Sequence, residues 1–199
     1  LFRSIVVVLV PYCWILLTAF KRQVDATAVP PVLFSPISFK GWEKLLSGNF
    51  PASLVSSVII TVGTTVATLL IGVPAGYAFA RGRFPGRRLL GGWLLFSRMV
   101  PPVIFIIPLF LFFNRLQLIN TYPGLVLAYM TGLLPFTVWM CASYFEDISL
   151  EIEEAARVDG ASRTRAFVAV VLPLALPGVL TVGVLIAIAA WSEYFIPFI

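Results

Sequence analysis

Histidine is absent from this sequence of 199 residues, and cysteine occurs only at Cys13 and Cys141, both inside apolar stretches. A metal centre of histidine and cysteine ligands is therefore excluded, and so is a disulfide framework. We expect both cysteines to act as small, buried apolar side chains. The glycine-rich pattern GxxxxGK[ST] is missing as well. This excludes nucleotide binding by a phosphate-binding loop of that type.

Charge is also scarce, because only 12% of the residues are charged whereas 60% are hydrophobic. Soluble domains carry about 25% charged residues. The net charge of +5 is explained by arginines beside apolar segments, so we expect no nucleic-acid partner. Backbone groups in lipid must be satisfied within the protein, and apolar runs of about 20 residues fit helices. The composition predicts an all-α, multi-pass protein of the lipid bilayer.

Five apolar segments follow one another along a single predicted transmembrane domain, and together they predict a polytopic helical bundle. A proline-rich stretch of mixed charge separates the first two segments and is predicted to be a loop. The sequence lacks an initiator methionine and ends in an apolar run, so we expect it to be part of a longer protein. The predicted spans are 1–20, 53–80, 89–113, 123–145 and 168–199, and the loop is 21–52.

The sides of the membrane follow from the distribution of arginine. The short stretch "ARGRFPGRR" contains Arg81, Arg83, Arg87 and Arg88 and no acidic residue. Positive charge beside membrane helices marks the cytoplasmic side. Counting the spans from there also places residues 146–167, called the insert below, in the cytoplasm.

The insert has the pattern of two short helices joined by a turn. Ser149 is a suitable N-cap for the first helix, and Gly160 can adopt the left-handed conformation that ends it. Ser162 can cap a second helix that runs to about residue 167. Glu153 and Arg157 are four residues apart, in the order that favours an ion pair on one helix face. The insert is either a solvated connector or a docking surface for a cytoplasmic partner, and its two-helix pattern with small residues favours docking.

The insert resembles a motif of a known family. Glu154-Ala155-Ala156, then Gly160 after three residues, and Val170-x-Leu172-Pro173 after nine more, are similar to the EAA loop of ABC importer permeases. The family pattern has isoleucine at the position of Val170. The longer stretch "EEAARVDGAS" resembles the carbohydrate-uptake branch, and in particular the second permease subunit of maltose-type systems. The similarity extends over nearly all of the chain from Ser53 onward.

This resemblance implies a core of six helices, five of which are present in this sequence. It implies a sugar importer of the bacterial or archaeal cytoplasmic (inner) membrane. The implied partners are a cytoplasmic ATPase dimer, a second permease subunit and an extracytoplasmic solute-binding protein. The chain would hold no cofactor and have no catalytic residues, because the partner ATPase would bind ATP and magnesium.

The family's coupling positions fall on five residues of the insert. Glu154, Ala155, Ala156 and Gly160 match the motif, and Asp159 either takes part or only stabilises the turn. The alanines would permit close approach, and Glu154 would pair with a cation of the ATPase. The remaining cations of the insert could contact the partner or lipid headgroups, and we favour an ordinary surface role for them; these are Arg157, Arg163 and Arg165.

Segment 89–113 contains several residues that disturb a helix. Pro101, Pro102 and Pro108 are expected to kink or start helices. Arg98 is expected to extend its guanidinium toward the cytoplasmic headgroups.

A second acidic candidate lies at the end of the last segment. Glu193, with Trp191 and Ser192, either lies in the outer aromatic belt or borders the translocation path, where an aromatic ring can stack on a sugar. Both interpretations remain open from the sequence.

Several other functions compete with sugar import. A permease for glycerol phosphate, an osmolyte or another small solute would have the same general pattern. An ion-coupled secondary carrier would need acids or histidines near the middle of the membrane, and this chain offers at most Glu193. A membrane scaffold protein would use the insert for docking without transport. The spacing of the EAA motif argues against the last two.

Overall fold

The computed structural model describes residues 2–97, 99–194 and 196. Arg98, predicted to reach the headgroups, lies outside the described residues. The chain divides into two compact units, Leu1–Ser56 and Ser57–Ile199. The described secondary structure is helical, as predicted. The helices are α1 (Phe2–Ala19), α2 (Gln23–Ala26), α3 (Lys40–Ser47), α4 (Phe50–Arg81), α5 (Arg87–Phe96), a 3-10 helix (Pro102–Phe105), α6 (Ile106–Arg115), α7 (Tyr122–Glu146), α8 (Leu150–Val158), α9 (Arg163–Ala166), a π-helix (Phe167–Val171) and α10 (Leu172–Trp191).

Three helical stretches are long and apolar enough to cross a membrane: Phe50–Arg81, Tyr122–Glu146 and Arg163–Trp191. Two shorter apolar stretches, Val7–Ala19 and Val103–Arg115, accompany them. Much of the apolar surface on these helices is exposed, as expected for side chains that face lipid.

The third predicted segment, 89–113, is not one continuous helix. Helix α5 ends at Phe96, and the chain becomes helical again in the 3-10 helix that begins at Pro102. Proline disfavours the helical conformation of the residue before it and has no N–H to donate. Pro101 and Pro102 therefore separate the segment into two short helices. Pro108 lies in the first turn of α6, where the missing N–H removes no hydrogen bond.

The unit Leu1–Ser56 contains the predicted loop, which is more ordered than its composition indicated. The Trp42 indole Nε1 donates to the Ala19 carbonyl oxygen at 3.0 Å, so α3 packs back on the end of α1. The Ser35 hydroxyl donates to the Asp25 carboxylate at 2.6 Å, and Arg22 pairs with it at 3.0 Å. These partners hold the pKa of Asp25 below its usual value. The predicted loop therefore contains short helices and internal hydrogen bonds.

The core of the unit Ser57–Ile199 is formed by α4, α7, the π-helix and α10. It consists of Val73, Cys141, Phe145, Val171, Ala175, Val179, Val182 and Ile186. Helices α4 and α7 approach closely at Gly76, where an added Cβ would lie 2.7 Å from the Cβ of Cys141. Small residues permit this close approach of two helix backbones. The resulting van der Waals packing holds membrane helices together, because lipid provides no hydrophobic driving force between them. Cys141 is fully buried, as predicted. The predicted burial of Cys13 is wrong, because its side chain is exposed on the apolar surface of α1.

Candidate functional site

The insert forms the predicted helix, turn and second helix. The Ser149 hydroxyl accepts from the backbone N–H of Glu151 at 3.3 Å, which caps α8. The chain turns at Gly160, whose φ of 92° lies in the left-handed region that favours glycine. The Ser162 hydroxyl then accepts from the backbone N–H of Arg165 at 3.3 Å and caps α9. The three predicted cap and turn positions are confirmed. A π-helix rather than an α-helix connects α9 to α10.

The predicted ion pair between Glu153 and Arg157 is wrong. Glu153 is only 6% exposed, and its carboxylate turns inward from α8 to the end of α4. Its Oε2 accepts from Arg81 Nε at 3.1 Å, and its Oε1 accepts from the Tyr77 hydroxyl at 2.5 Å. A cation and a phenol at a buried position satisfy this carboxylate better than an exposed arginine on its own helix. We call Tyr77, Arg81 and Glu153 the buried triad.

Arg81 also contacts the start of the insert through its backbone. Its Nη2 donates to the carbonyl oxygen of Ile148 at 2.8 Å, in the link between α7 and α8. One guanidinium therefore binds both the connection into the insert and the first helix of the insert. Arg87 and Glu146 form a second pair at 2.6 Å, but their side chains are 36% and 51% exposed. The start of α5, the end of α7 and the insert therefore lie at one end of this unit.

An aromatic cluster lies against the buried triad. The centroid of the Tyr77 ring is 4.3 Å from the ring centroid of Phe167 and 5.6 Å from that of Phe145. Phe145 and Phe167 are 5.9 Å apart. Phe145 is fully buried. Tyr77 therefore contributes its hydroxyl to the triad and its ring to a cluster shared by α4, α7 and the π-helix.

Most of the predicted coupling residues are exposed, unlike Glu153. Glu154 and Ala155 are exposed, and Ala156 is half-buried. Asp159 and Gly160 are exposed at the turn. The insert thus presents the acidic side chain of Glu154 and the small residue Ala155 outward, while Glu153 attaches it to α4. The coupling role of these residues stays a prediction.

The three residues predicted near the path are divided by the structure. Trp191 is the last residue of α10 and is 52% exposed, and Ser192 follows it at the helix end. Glu193 lines a cavity of about 530 Å³ together with Tyr129, Ser97 and other residues that are mainly apolar. Trp191 and Ser192 are not among its lining residues. Only Glu193 of this group is therefore positioned to contact a molecule in the cavity.

No role was predicted for Tyr77 from the sequence, and Arg81 contributed only to the predicted orientation in the membrane. A signal for both was present, because they are four residues apart on α4 and so share one helix face. An arginine at the end of an apolar helix, with a tyrosine one turn before it, indicates a polar site on that face. Its acidic partner is 72 residues away in sequence and could not be identified from the spacing.

These features define a multi-pass helical membrane protein with a folded polar insert attached at one end of its bundle. The chain belongs to the family described as "Binding-protein-dependent transport system inner membrane component", whose pattern matches residues 69–198.

Two relatives are similar along most of the chain. The trehalose transport system permease protein SugB of Mycobacterium tuberculosis is 35% identical over 189 residues, which are 93% of this chain and 68% of that protein. The diacetylchitobiose uptake system permease protein NgcG of Streptomyces coelicolor is 34% identical over 193 residues, which are 96% of this chain and 64% of that protein. The predicted membership of the carbohydrate-uptake branch of ABC permeases is confirmed.

A solved structure has a similar fold. The crystal structure of a bacterial ABC transporter involved in the import of the acidic polysaccharide alginate matches with a TM-score of 0.82 and 29% identity, over 98% of this chain and 72% of that chain. The chain spans between 62% and 69% of the length of the curated relatives that it matches.

Proposed function

We propose that this chain is a permease subunit of an ATP-driven sugar importer in the cytoplasmic (inner) membrane of a bacterium or archaeon. Its insert faces the cytoplasm and docks on an ATPase dimer, which binds ATP and magnesium and carries out the hydrolysis. A second permease subunit completes the translocation path, and an extracytoplasmic binding protein delivers the sugar. The names of the relatives, which refer to trehalose and diacetylchitobiose, support a sugar as substrate.

The exposed face of α8 is the observation on which this proposal rests. Glu154 and Ala155 are exposed although the helix is held to the bundle through its neighbour Glu153. A connector between two spanning helices needs only a few residues, whereas this insert has two capped helices. An outward carboxylate beside small residues suits a partner that approaches closely and supplies a cation.

The test is to purify the tagged subunit from its native membrane and to identify its partners by mass spectrometry. We expect an ATPase and a second permease in stoichiometric amounts. Replacing Glu154→Lys should remove the ATPase while the second permease remains, because the change repels the proposed cation. Glu151→Lys is the matched control, since Glu151 is an exposed acid of the same helix outside the motif. Purification of the subunit alone, in detergents that preserve known importers, would contradict the proposal.

The cavity lined by Glu193 is the proposed place where the sugar passes this subunit. A carboxylate accepts hydrogen bonds from sugar hydroxyls, and the Tyr129 hydroxyl in the same lining can donate or accept. The hydroxyls of Ser97 and Thr131 donate to backbone carbonyl oxygens and can still accept. The apolar remainder of the wall suits the carbon faces of the ring. Replacing Glu193→Gln should raise the half-saturation concentration for uptake in proteoliposomes without loss of the ATPase. An unchanged half-saturation concentration would place the sugar elsewhere.

A further inference from the structure

We propose that the buried triad holds α8 and the end of α4 together as one rigid body, so that the insert cannot move without moving this membrane helix. The proposal rests on the proposed function and assigns Tyr77, Arg81 and Glu153 a positioning role in it. These residues lie outside the coupling motif, and their side chains contact one another within the chain. Their effect is to transmit a displacement of α8 to α4.

The geometry of the carboxylate supports this role. Both oxygens of Glu153 are occupied, and both donors come from α4, one helical turn apart. Two contacts on one helix face fix the orientation of α8 as well as its distance from α4. The second bond of Arg81, to the Ile148 carbonyl, fixes the backbone just before α8. The insert is thus held at two points by a single arginine.

The aromatic cluster extends this body toward α7 and α10. The hydroxyl of Tyr77 donates to Glu153, and its ring contacts the rings of Phe145 and Phe167. Phe145 is near the end of α7, and Phe167 begins the π-helix that leads into α10. A single π-helical turn within a helix is frequently found at functional sites. The chain therefore enters and leaves the insert through residues that contact Tyr77.

Stability alone does not account for a buried ion pair. Both charges lose hydration when they are buried, so a well-packed apolar pair is often as stable or more stable. A fixed arrangement of hydrogen bonds supplies directional restraint, which an apolar contact does not. The exposed pair of Arg87 and Glu146 joins neighbouring elements without burial and provides a comparison within the same end of the unit.

The first experiment measures whether α8 and α4 move together. Spin labels are placed at the exposed positions Glu151 on α8 and Ala78 on α4, with exposed Cys13 replaced by serine. The complete complex is reconstituted in lipid, and the distance between the labels is measured with and without ATP and magnesium. We expect one narrow distance distribution that ATP does not change. A distance that changes on ATP binding in the intact triad would overturn the proposal.

The second experiment measures sugar uptake and ATP hydrolysis in the same proteoliposomes. The substitutions Tyr77→Phe and Glu153→Gln should lower the uptake per ATP hydrolysed by about 2- to 10-fold, as expected for loss of one hydrogen bond or of a charge partner. Tyr77→Phe retains the ring and so keeps the aromatic cluster. The same label pair should then show a broader distribution. Arg87→Gln, in the exposed pair, is the control and should leave the ratio unchanged.

The outcomes separate the two proposals. An unsubstituted complex without ATP-dependent uptake would contradict the proposed function, whereas normal uptake per ATP in Tyr77→Phe and Glu153→Gln would contradict only the role of the triad. Co-purification of the ATPase with each variant shows that the insert is still folded. If Glu153→Gln does not assemble, Tyr77→Phe and the label distance in the unsubstituted protein still decide the question.

Discussion

The buried triad leads to a quantitative prediction about pairs of substitutions. Arg81→Met would leave the carboxylate of Glu153, whose side chain is only 8% exposed, without its cation. Removing one partner of a buried pair costs about 3–5 kcal/mol. We expect a loss of about 3 kcal/mol of unfolding free energy, because the pair lies at the end of the bundle and Tyr77 still donates to the carboxylate.

Replacing Glu153 alone, and then both residues together, completes a double-mutant cycle on this pair. Glu153→Met should cost about 2 kcal/mol, because the side chain of Arg81 is 16% exposed and keeps its bond to the Ile148 carbonyl. The double variant leaves no buried charge and should also cost about 2 kcal/mol. The sum of the single effects is about 5 kcal/mol, so the predicted coupling is about 3 kcal/mol.

The assay is equilibrium unfolding of the purified chain in mixed micelles, with helicity followed by circular dichroism. The control is the same cycle on Arg87 and Glu146, whose exposed side chains should show a coupling below about 1 kcal/mol. Additive effects of Arg81→Met and Glu153→Met, with a coupling below about 0.5 kcal/mol, would contradict the prediction, because they would show that the two charges do not depend on each other.

Two glycines provide further tests. Gly76→Ala should lower the unfolding free energy by about 1–3 kcal/mol, because its Cβ would lie 2.7 Å from the Cβ of Cys141 and 3.0 Å from the Val138 carbonyl oxygen. The control is Gly132→Ala, whose Cβ would meet nothing within 4 Å apart from its chain neighbours and the backbone of its own helix. This substitution should be neutral or stabilising by up to about 1 kcal/mol. Gly160→Ala should lower the unfolding free energy by about 1–2 kcal/mol, because the residue has a φ of 92°. It should also speed amide hydrogen exchange in the turn. Gly160→Asn should have a smaller effect, because asparagine tolerates this conformation better. Equal exchange rates in both variants would contradict the strained turn.

Features that depend on neighbouring residues could be predicted from the sequence. Ser149, Gly160 and Ser162 act within a few residues of their own positions, so the limits of the two insert helices followed from known cap and turn preferences. The apolar runs predicted the long helices for the same reason. The prolines at 101 and 102 indicated a disturbance in the third segment, but not that it would be divided into two helices.

Features that depend on distant residues could not be predicted in this way. The sequence offered Glu153 a cation four residues away, and the interaction with Arg81 requires the packing of α4 against α8. The cavity beside Glu193 could not be predicted either, because its walls come from α6, α7 and α10 and from the segment that follows α5. Glu193 lines this cavity, whereas Trp191 is exposed and does not line it, although the two residues are close in sequence.

The two consecutive glutamates of the insert point in different directions from one short helix. Adjacent residues of an α-helix point about 100° apart, so Glu153 and Glu154 cannot both face the bundle. Glu153 is buried against α4, and Glu154 is exposed. In the proposed complex, the first acid therefore belongs to the permease and the second to the docking surface. A force on Glu154 would reach Glu153 through a single peptide unit, and Glu153 is bonded directly to α4. The path from partner to membrane helix is thus short because the two acids are neighbours.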